Sequence, residues 1–489
     1  MKRIYLLLTA FLASSFCLLA QNEIDIYRAA NTFNEGTARF DAMAGSFGAL
    51  GAESGCARIN PAGLARYTNS SFGFTLNGIA TSNSANFQNQ LTTTSDFYSR
   101  LSNLNFVVVT DKSLNRQGFL FSQFGFGINR IANFNSVFSY KGQQFESLLD
   151  EFASNGYGTQ PVDLNSYFPF STSLAYETYA IDFNNPSYIP RLTSGDMIHN
   201  RTVTTSGGIS EYYFNFSGNY INKLYIGGNL GIQRLKYDEN IDHSESLIDT
   251  IGVSLRSFNY NYHFNTKGNG LNLKIGIIYL PQDNIRLGFS IHTPTSFNLL
   301  DQTNANMTAM HNDGIRTVDP SLVPKSTYKY NLSTPARFIG SFGYVFEKRG
   351  CINIDAEFLD YSWGKLKPTN DPTYETYSFS NENAAAKERL KAGFNLKIGG
   401  EIVFSNKFFL RGGFASYFKG DKALLVYGKN ADQLISGGVG YRYGAMTLDF
   451  AIKSFLQTKV YQAFTGSSAL LDLKTTTFVI GFNYKFPTN

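Results

Sequence analysis

The chain has 489 residues, 42 Lys and Arg against 37 Asp and Glu, a formal net charge of +5, and 15% aromatic residues. So slight a basic excess, with no basic cluster interleaved with aromatics, gives no footing for nucleic acid. Beyond the N-terminal segment no apolar run reaches the roughly 18 residues a spanning helix needs, so passage through a membrane would require a closed barrel, whose strands satisfy their backbone groups among themselves.

In chain order, Lys2-Arg3 makes a basic start, Ile4 to Ala20 is mostly apolar, and polarity resumes at Gln21-Asn22-Glu23. This reads as a secretory signal over 1–20, cleaved after Ala20. Cys17 follows Phe16, which is not the small residue a lipidation site wants. Residues 21–69 are rich in Gly and Ala, with Gly45, Gly48 and Gly51 at a spacing of three, and show no strand alternation. So few large apolar groups cannot hold an independent domain. The segment is expected to be a hatch inside the barrel, helical around residues 24–32.

From residue 70 to 489 the chain alternates apolar and polar residues in about fourteen segments, at 72–81, 101–110, 117–140, 206–221, 224–238, 268–280, 284–293, 336–346, 350–362, 388–404, 407–418, 433–443, 446–457 and 474–486. Ile285, Leu287, Phe289 and Ile291 alternate with Arg286, Gly288, Ser290 and His292; Phe478, Ile480, Phe482 and Tyr484 alternate with Val479, Gly481 and Asn483. Period two puts the apolar set on lipid and the mixed set on the lumen. Joints are alternately short (Asn222-Lys223, Ser405-Asn406, Gly444-Ala445) and long. The predicted architecture is all-β: a transmembrane antiparallel barrel of about fourteen strands, with short turns and both barrel ends at the periplasmic rim and long loops outside. A soluble sandwich or propeller would need neither that alternation of joints nor a plug, and no blade-length repeat is present.

Three long outer loops are expected, at 141–205, 239–267 and 294–335, the first carrying a short helix at 145–154 with Phe145, Leu148, Leu149 and Phe152 on one face. Trp363 is expected as a rim aromatic. Phe486 near the C-terminus resembles the terminal aromatic read by the barrel-assembly machinery, so that machinery, outer-membrane lipid and lipopolysaccharide are expected partners of a monomer.

Several stretches resemble the family of long-chain fatty-acid and aromatic-hydrocarbon outer-membrane transporters (FadL/TodX-like). They are Phe40-Asp41-Ala42-Met43-Ala44-Gly45, Ala49-Leu50-Gly51-Ala52 and Asn60-Pro61-Ala62 in the hatch. Downstream come Arg286-Leu287-Gly288-Phe289, Thr334-Pro335-Ala336-Arg337-Phe338 and Leu359-Asp360-Tyr361-Ser362-Trp363. The resemblance implies passive uptake of hydrophobic small molecules, fatty-acid-like or aromatic, into an apolar lumen pocket. It also implies sideways release where the third strand kinks. Asn60, Pro61 and Ala62 correspond to the hatch motif: Pro61 fixes a bend, and Asn60 can hold the turn. Gly118, Gly125 and Gly127 weaken the third strand and are candidates for the lateral opening, or for close packing against the hatch. Inward charges are mainly basic, and Arg337 and Arg411 are candidate contacts for a ligand carboxylate.

No catalytic pair is evident. The five histidines, His199, His243, His263, His292 and His311, look scattered, four of them in predicted loops, and no Gly-x-Ser-x-Gly elbow occurs. No enzyme activity, metal or cofactor is expected. The alternative function is a docking barrel of a secretion system with the same fold; a water-filled porin is opposed by the hatch. Cys56 in the hatch and Cys351 near the periplasmic rim could meet as a disulfide.

Overall fold

Fourteen strands pair antiparallel with their neighbours, and the last returns to the first, so the wall has no outer edge. The structure is a computed structural model. It describes residues 23–487 apart from 34, 112–117, 193–195, 348, 375–376, 406 and 426–428, and the expected signal segment with Cys17 lies outside the described residues. The wall strands are β1 (Ser71–Phe87), β2 (Gln90–Asp111), β3 (Phe119–Asn133), β4 (Met197–Tyr220), β5 (Leu224–Leu247), β6 (Leu255–Gln282) and β7 (Ile285–His292). They continue as β8 (Arg337–Phe346), β9 (Gly350–Asp360), β10 (Ala392–Val403), β11 (Phe408–Phe418), β12 (Ala431–Tyr443), β13 (Met446–Phe464) and β14 (Ser467–Lys485). Closure runs from Ser71 opposite Lys485 to Asn86 opposite Leu470.

The alternation sets the two faces. Ile275 and Ile277 of β6, Leu287 and Phe289 of β7, Phe450 and Ile452 of β13 and Phe478 and Ile480 of β14 are exposed, while their immediate neighbours turn inward and are buried. An outward apolar band around a polar interior is the architecture of an outer-membrane barrel. Short turns lie at the rim where the barrel begins and ends. At Ile221-Asn222-Lys223 the φ angles of Ile221 and Asn222 are +47° and +57°. The Asn219 side chain steadies that turn by accepting from the Asn222 amide at 2.9 Å.

The other rim departs from expectation. Residues assigned above to long loops are mostly strand: β4, β5 and β6 run for 24, 24 and 28 residues. Added strands Ser136–Gln144, Ser296–His311, Ser326–Ser333 and Lys365–Pro368 pair along their outer ends. The expected long joins after β1 and β13 are tight hairpins at Gln88-Asn89 and Thr465-Gly466. Beyond the membrane a strand keeps its ladder but needs no apolar outward face, so the contrast that marks a strand in sequence fades there.

The remaining insertion folds as a cap over its described residues 145–192. Its first helix, Leu148–Asn155, begins close to the expected position and is fixed by a capping box between Ser147 and Asp150. Leu148, Leu149 and Phe152 are buried as expected, while Phe145 is exposed. They join Leu174, Phe258 and Met307 in an apolar cluster over the mouth. Trp363 stands on a 3-10 turn, half exposed, edge-on to Phe338 and Phe358.

Candidate functional site

The hatch fills the lumen. Helices α1 (Glu23–Ala30, against 24–32 expected) and α2 (Ala38–Ala42) and the 3-10 turns Ser54–Arg58 and Pro61–Arg66 are mostly buried. The described chain starts high, where Glu23 meets Arg389 at 2.6 Å. It descends to the periplasmic rim, where the Asn69 side chain donates to the Phe486 carbonyl.

Inward-facing charges of the wall hold this hatch. Asp355 accepts from the Phe47 and Gly48 amides at 3.0 and 3.1 Å. Glu401 grips Arg39 through both oxygens at 2.9 Å, and Lys453 pairs with Asp41 at 2.8 Å. Charge-assisted contacts of this kind are the strong ones. The Asn60-Pro61-Ala62 motif lies against the wall. Asn60 Nδ2 donates to the carbonyls of Gly48 and Ile277 at 2.8 and 2.9 Å, and its Oδ1 accepts from the Ala62 amide. The Pro61 carbonyl accepts from Asn215 at 3.2 Å. The wall makes room with glycine: a Cβ on Gly276 would stand 2.0 Å from Asn60 Oδ1, and one on Gly227 2.5 Å from the Pro61 carbonyl.

Above α2 a cavity of about 320 Å³ opens between hatch and wall. Ile24, Tyr27, Phe33, Phe134, Phe455 and Leu473 give it an apolar lining. Its volume is that of a small-molecule site, and polar and charged side chains such as Glu35, Asn83, Arg389 and Gln457 share the lining with this apolar set. Arg28 and Lys453 reach it but are paired with Asp25 and Asp41. Lys459 also lines it, and among the described residues makes no ion pair or hydrogen bond.

Next to the cavity the wall is broken. β2 pairs with β3 only from Asn103 opposite Asn129 to Asp111 opposite Phe121. It continues outward to Gln90, paired with β1 alone. The continuation of β3, Ser136–Gln144, pairs with β4 alone. A register shift at Arg130–Ala132 and two positive φ angles opposite, +107° at Gly207 and +149° at Gly208, bend the chain here. Only glycine fits: a Cβ on Gly208 would meet the Ala132 carbonyl at 2.2 Å. The resulting opening of about 470 Å³ is lined by Tyr98, Arg100, Leu104, Ile128, Arg130 and Ser210 among others. Side chains bridge it. Asn133 donates to the Tyr98 hydroxyl at 2.6 Å and accepts from Arg100 at 2.8 Å. Arg100 also holds Glu35 of the hatch at 2.5 Å. Burial opposes ionisation of Glu35, but the Arg100 guanidinium, helped by Lys453, outweighs it and holds the carboxyl below its ordinary pKa.

The predicted glycines occupy other places. Gly118 precedes β3 in the rim turn with φ +80°. Gly125 leaves room for Leu64 of the hatch, 2.4 Å from a Cβ there, and Gly127 admits the Leu104 carbonyl at 2.2 Å. Gly125 and Gly127 are close-packing positions, and the break lies farther out on the same strand. The two predicted arginines have partners of their own. Arg337 binds Glu357 at 2.6 Å and the Ala30 carbonyl; Arg411 binds Glu401 and Asp449 at 2.6 and 2.5 Å. A ligand carboxylate would have to displace these, so Lys459 takes their place as the candidate contact. The expected strand ends at residue 457, two residues short of Lys459, so parity did not reach it. Cys56 and Cys351 are both free; they share an apolar cluster, and Cys56 Sγ lies 3.7 Å from the Phe47 carbonyl oxygen.

No family model and no curated protein matches this chain. Solved structures do match in shape. A Pseudomonas aeruginosa FadL homologue superposes with a TM-score of 0.54 at 12% identity, over 94% of this chain and 99% of that one. The toluene transporter TodX of Pseudomonas putida does so with a TM-score of 0.51 at 16% identity, over 93% of this chain and 99% of that one. Wall, hatch and rims together define a plugged fourteen-stranded outer-membrane barrel. Its fold is that of the FadL- and TodX-like transporters.

Proposed function

We propose that this protein is an outer-membrane channel for passive uptake of hydrophobic small molecules. They enter under the cap, rest in the apolar cavity, and leave sideways into the membrane through the break between β2 and β3. One observation carries the reading: cavity and break adjoin. Asn135 lines both, and Asn133, which lines the cavity, bridges to Tyr98 and Arg100 of the break. A single aromatic ring buries on the order of 150 Å². At about 25 cal/mol per Å² that is about 4 kcal/mol, a roughly millimolar affinity. Such weak holding suits a conduit that must also release. The reading is of a conduit, with no catalytic role.

The purified protein should carry hydrophobic molecules identifiable by mass spectrometry after organic extraction. Reconstituted into vesicles, it should speed uptake of a fluorescent fatty acid or a labelled monoaromatic. Vesicles with the protein that take up neither faster than empty vesicles would sink the reading and leave the docking-barrel alternative.

A further inference from the structure

The outer halves of β4 and β5, which sequence reading left as loops, bring together residues with no part in the uptake path. His199 of β4 stands directly opposite Glu245 of β5, and His243 lies two residues before Glu245 on the same face. All three are fully buried or nearly so. His243 Nε2 is 2.8 Å from Glu245 Oε1, and His199 Nδ1 is 3.6 Å from the same oxygen. The three potential ligand atoms all lie within 4.8 Å of one another.

Two features distinguish this from an ordinary buried hydrogen-bond cluster. Among the described residues neither ring nitrogen of His199 has a hydrogen-bond partner, although in any tautomer a buried imidazole carries at least one N–H whose isolation is costly. The carboxylate is also held in place from behind: Ser147 Oγ donates to Oε2 at 2.5 Å and the Leu148 amide to Oε1 at 2.8 Å. Outer partners of this kind are what orient metal ligands. The rings of Phe87, Phe258 and Phe464 pack around the two imidazoles. Neighbouring Arg201 is turned onto the Tyr461 hydroxyl at 3.1 Å.

We propose that His199, His243 and Glu245 bind a divalent first-row transition ion, with zinc the best match. Bond lengths of about 2.0–2.1 Å in a tetrahedron put ligand atoms about 3.3 Å apart, a small adjustment from the distances present. Two imidazoles and one carboxylate suit zinc and its neighbours, whereas calcium and magnesium want oxygen throughout. The fourth position falls to water. Because Ser147 caps the helix Leu148–Asn155 and bonds Glu245, the ion would fasten the cap to the β4–β5 ribbon.

The full-length protein in detergent, stripped with a chelator, would be titrated with cobalt(II) and zinc(II). Heat-modifiable gel migration would confirm a folded barrel throughout. About one ion per chain should survive desalting, cobalt should give the intense visible bands of a tetrahedral site, and zinc should slow proteolysis within 145–196. His199→Ala removes a side chain with no hydrogen bond to lose and should weaken binding at least tenfold; His243→Gln is the second variant. Wild-type protein that retains no stoichiometric ion, or a His199→Ala protein with unchanged cobalt spectrum and stoichiometry, would overturn the proposal.

Discussion

The lumen is fastened very differently on its two sides. From β8 to β13 the hatch is held by a dense set of charged and polar contacts: Asp355 on two amides, Glu401 on Arg39, Lys453 on Asp41, and Ser436 on the Ala42 carbonyl at 3.0 Å. On the broken side its main link to the outer half of β2 is the Arg100–Glu35 pair, with a longer contact from Ser102 to the Gly36 carbonyl at 3.4 Å. A plug anchored on one wall can stay in place while the opposite wall yields. The difference teaches where motion is cheap: the outer half of β2 gives up no backbone ladder to β3 when it moves, because it has none.

Removing the anchored element should have the largest effect. Deleting 21–69 leaves a fourteen-stranded wall around an emptied lumen, and barrels of that size are wide enough to conduct. Conductance in planar bilayers should rise by about an order of magnitude over the intact protein. Unchanged conductance would mean that the hatch is not the barrier.

A subtler attack on the same anchorage is Gly276→Val. Even a Cβ there would sit 2.0 Å from Asn60 Oδ1. Overpacking of this kind costs about 1–3 kcal/mol, and moving Asn60 also strands its bonds to Gly48 and Ile277. The hatch should loosen while the wall stays folded, seen as faster trypsin cleavage at Arg58 and Arg66. A cleavage rate equal to that of the parent would deny the motif its role against the wall.

The strand count, the hatch and its initial helix were legible in the sequence. Lipid enforces strict alternation, and a plug enforces small residues. The outer third of the molecule was not legible. His199, His243 and Lys459 sit on the outer ends of their strands, where the outward residues are mostly polar, so period two carries little hydropathy signal there. The break was legible only as a glycine-rich third strand. Its actual cause is a register shift facing Gly207 and Gly208 on β4, a strand far away in sequence.

Loosening the weakly held side should act more gently. Glu35→Gln removes the charge that Arg100 meets across the break. Uptake of a hydrophobic probe should quicken about two- to tenfold, the range that a partly buried pair of about 0.5–1.5 kcal/mol allows, with no rise in ionic conductance. The folded pKa of Glu35 lies below its ordinary value, so the link contributes fully above the ordinary carboxylate range and is lost only as pH falls through that lowered value. Parent uptake should therefore not change through this group across neutral pH. A variant that leaks ions would show that the pair anchors the hatch and does not restrain the gap.

The smallest effect is expected at Lys459, and it separates ligand chemistry from general apolar holding. Its ammonium lines the cavity beside Phe455 and Leu473 without an ion partner among the described residues. A fatty-acid carboxylate could take that position, whereas a methyl ester or toluene could not. Lys459→Gln keeps the side chain's reach and removes its charge. Binding of a fatty acid should weaken about twofold to fivefold, the worth of one partly solvated ion pair, while binding of the methyl ester should stay as it was. Calorimetric titration of both ligands against both proteins makes the comparison. If the two ligands lose affinity equally, the lysine acts only by packing. If the acid never outbinds the ester in the parent protein, the cavity selects for apolar surface alone and the natural cargo is uncharged.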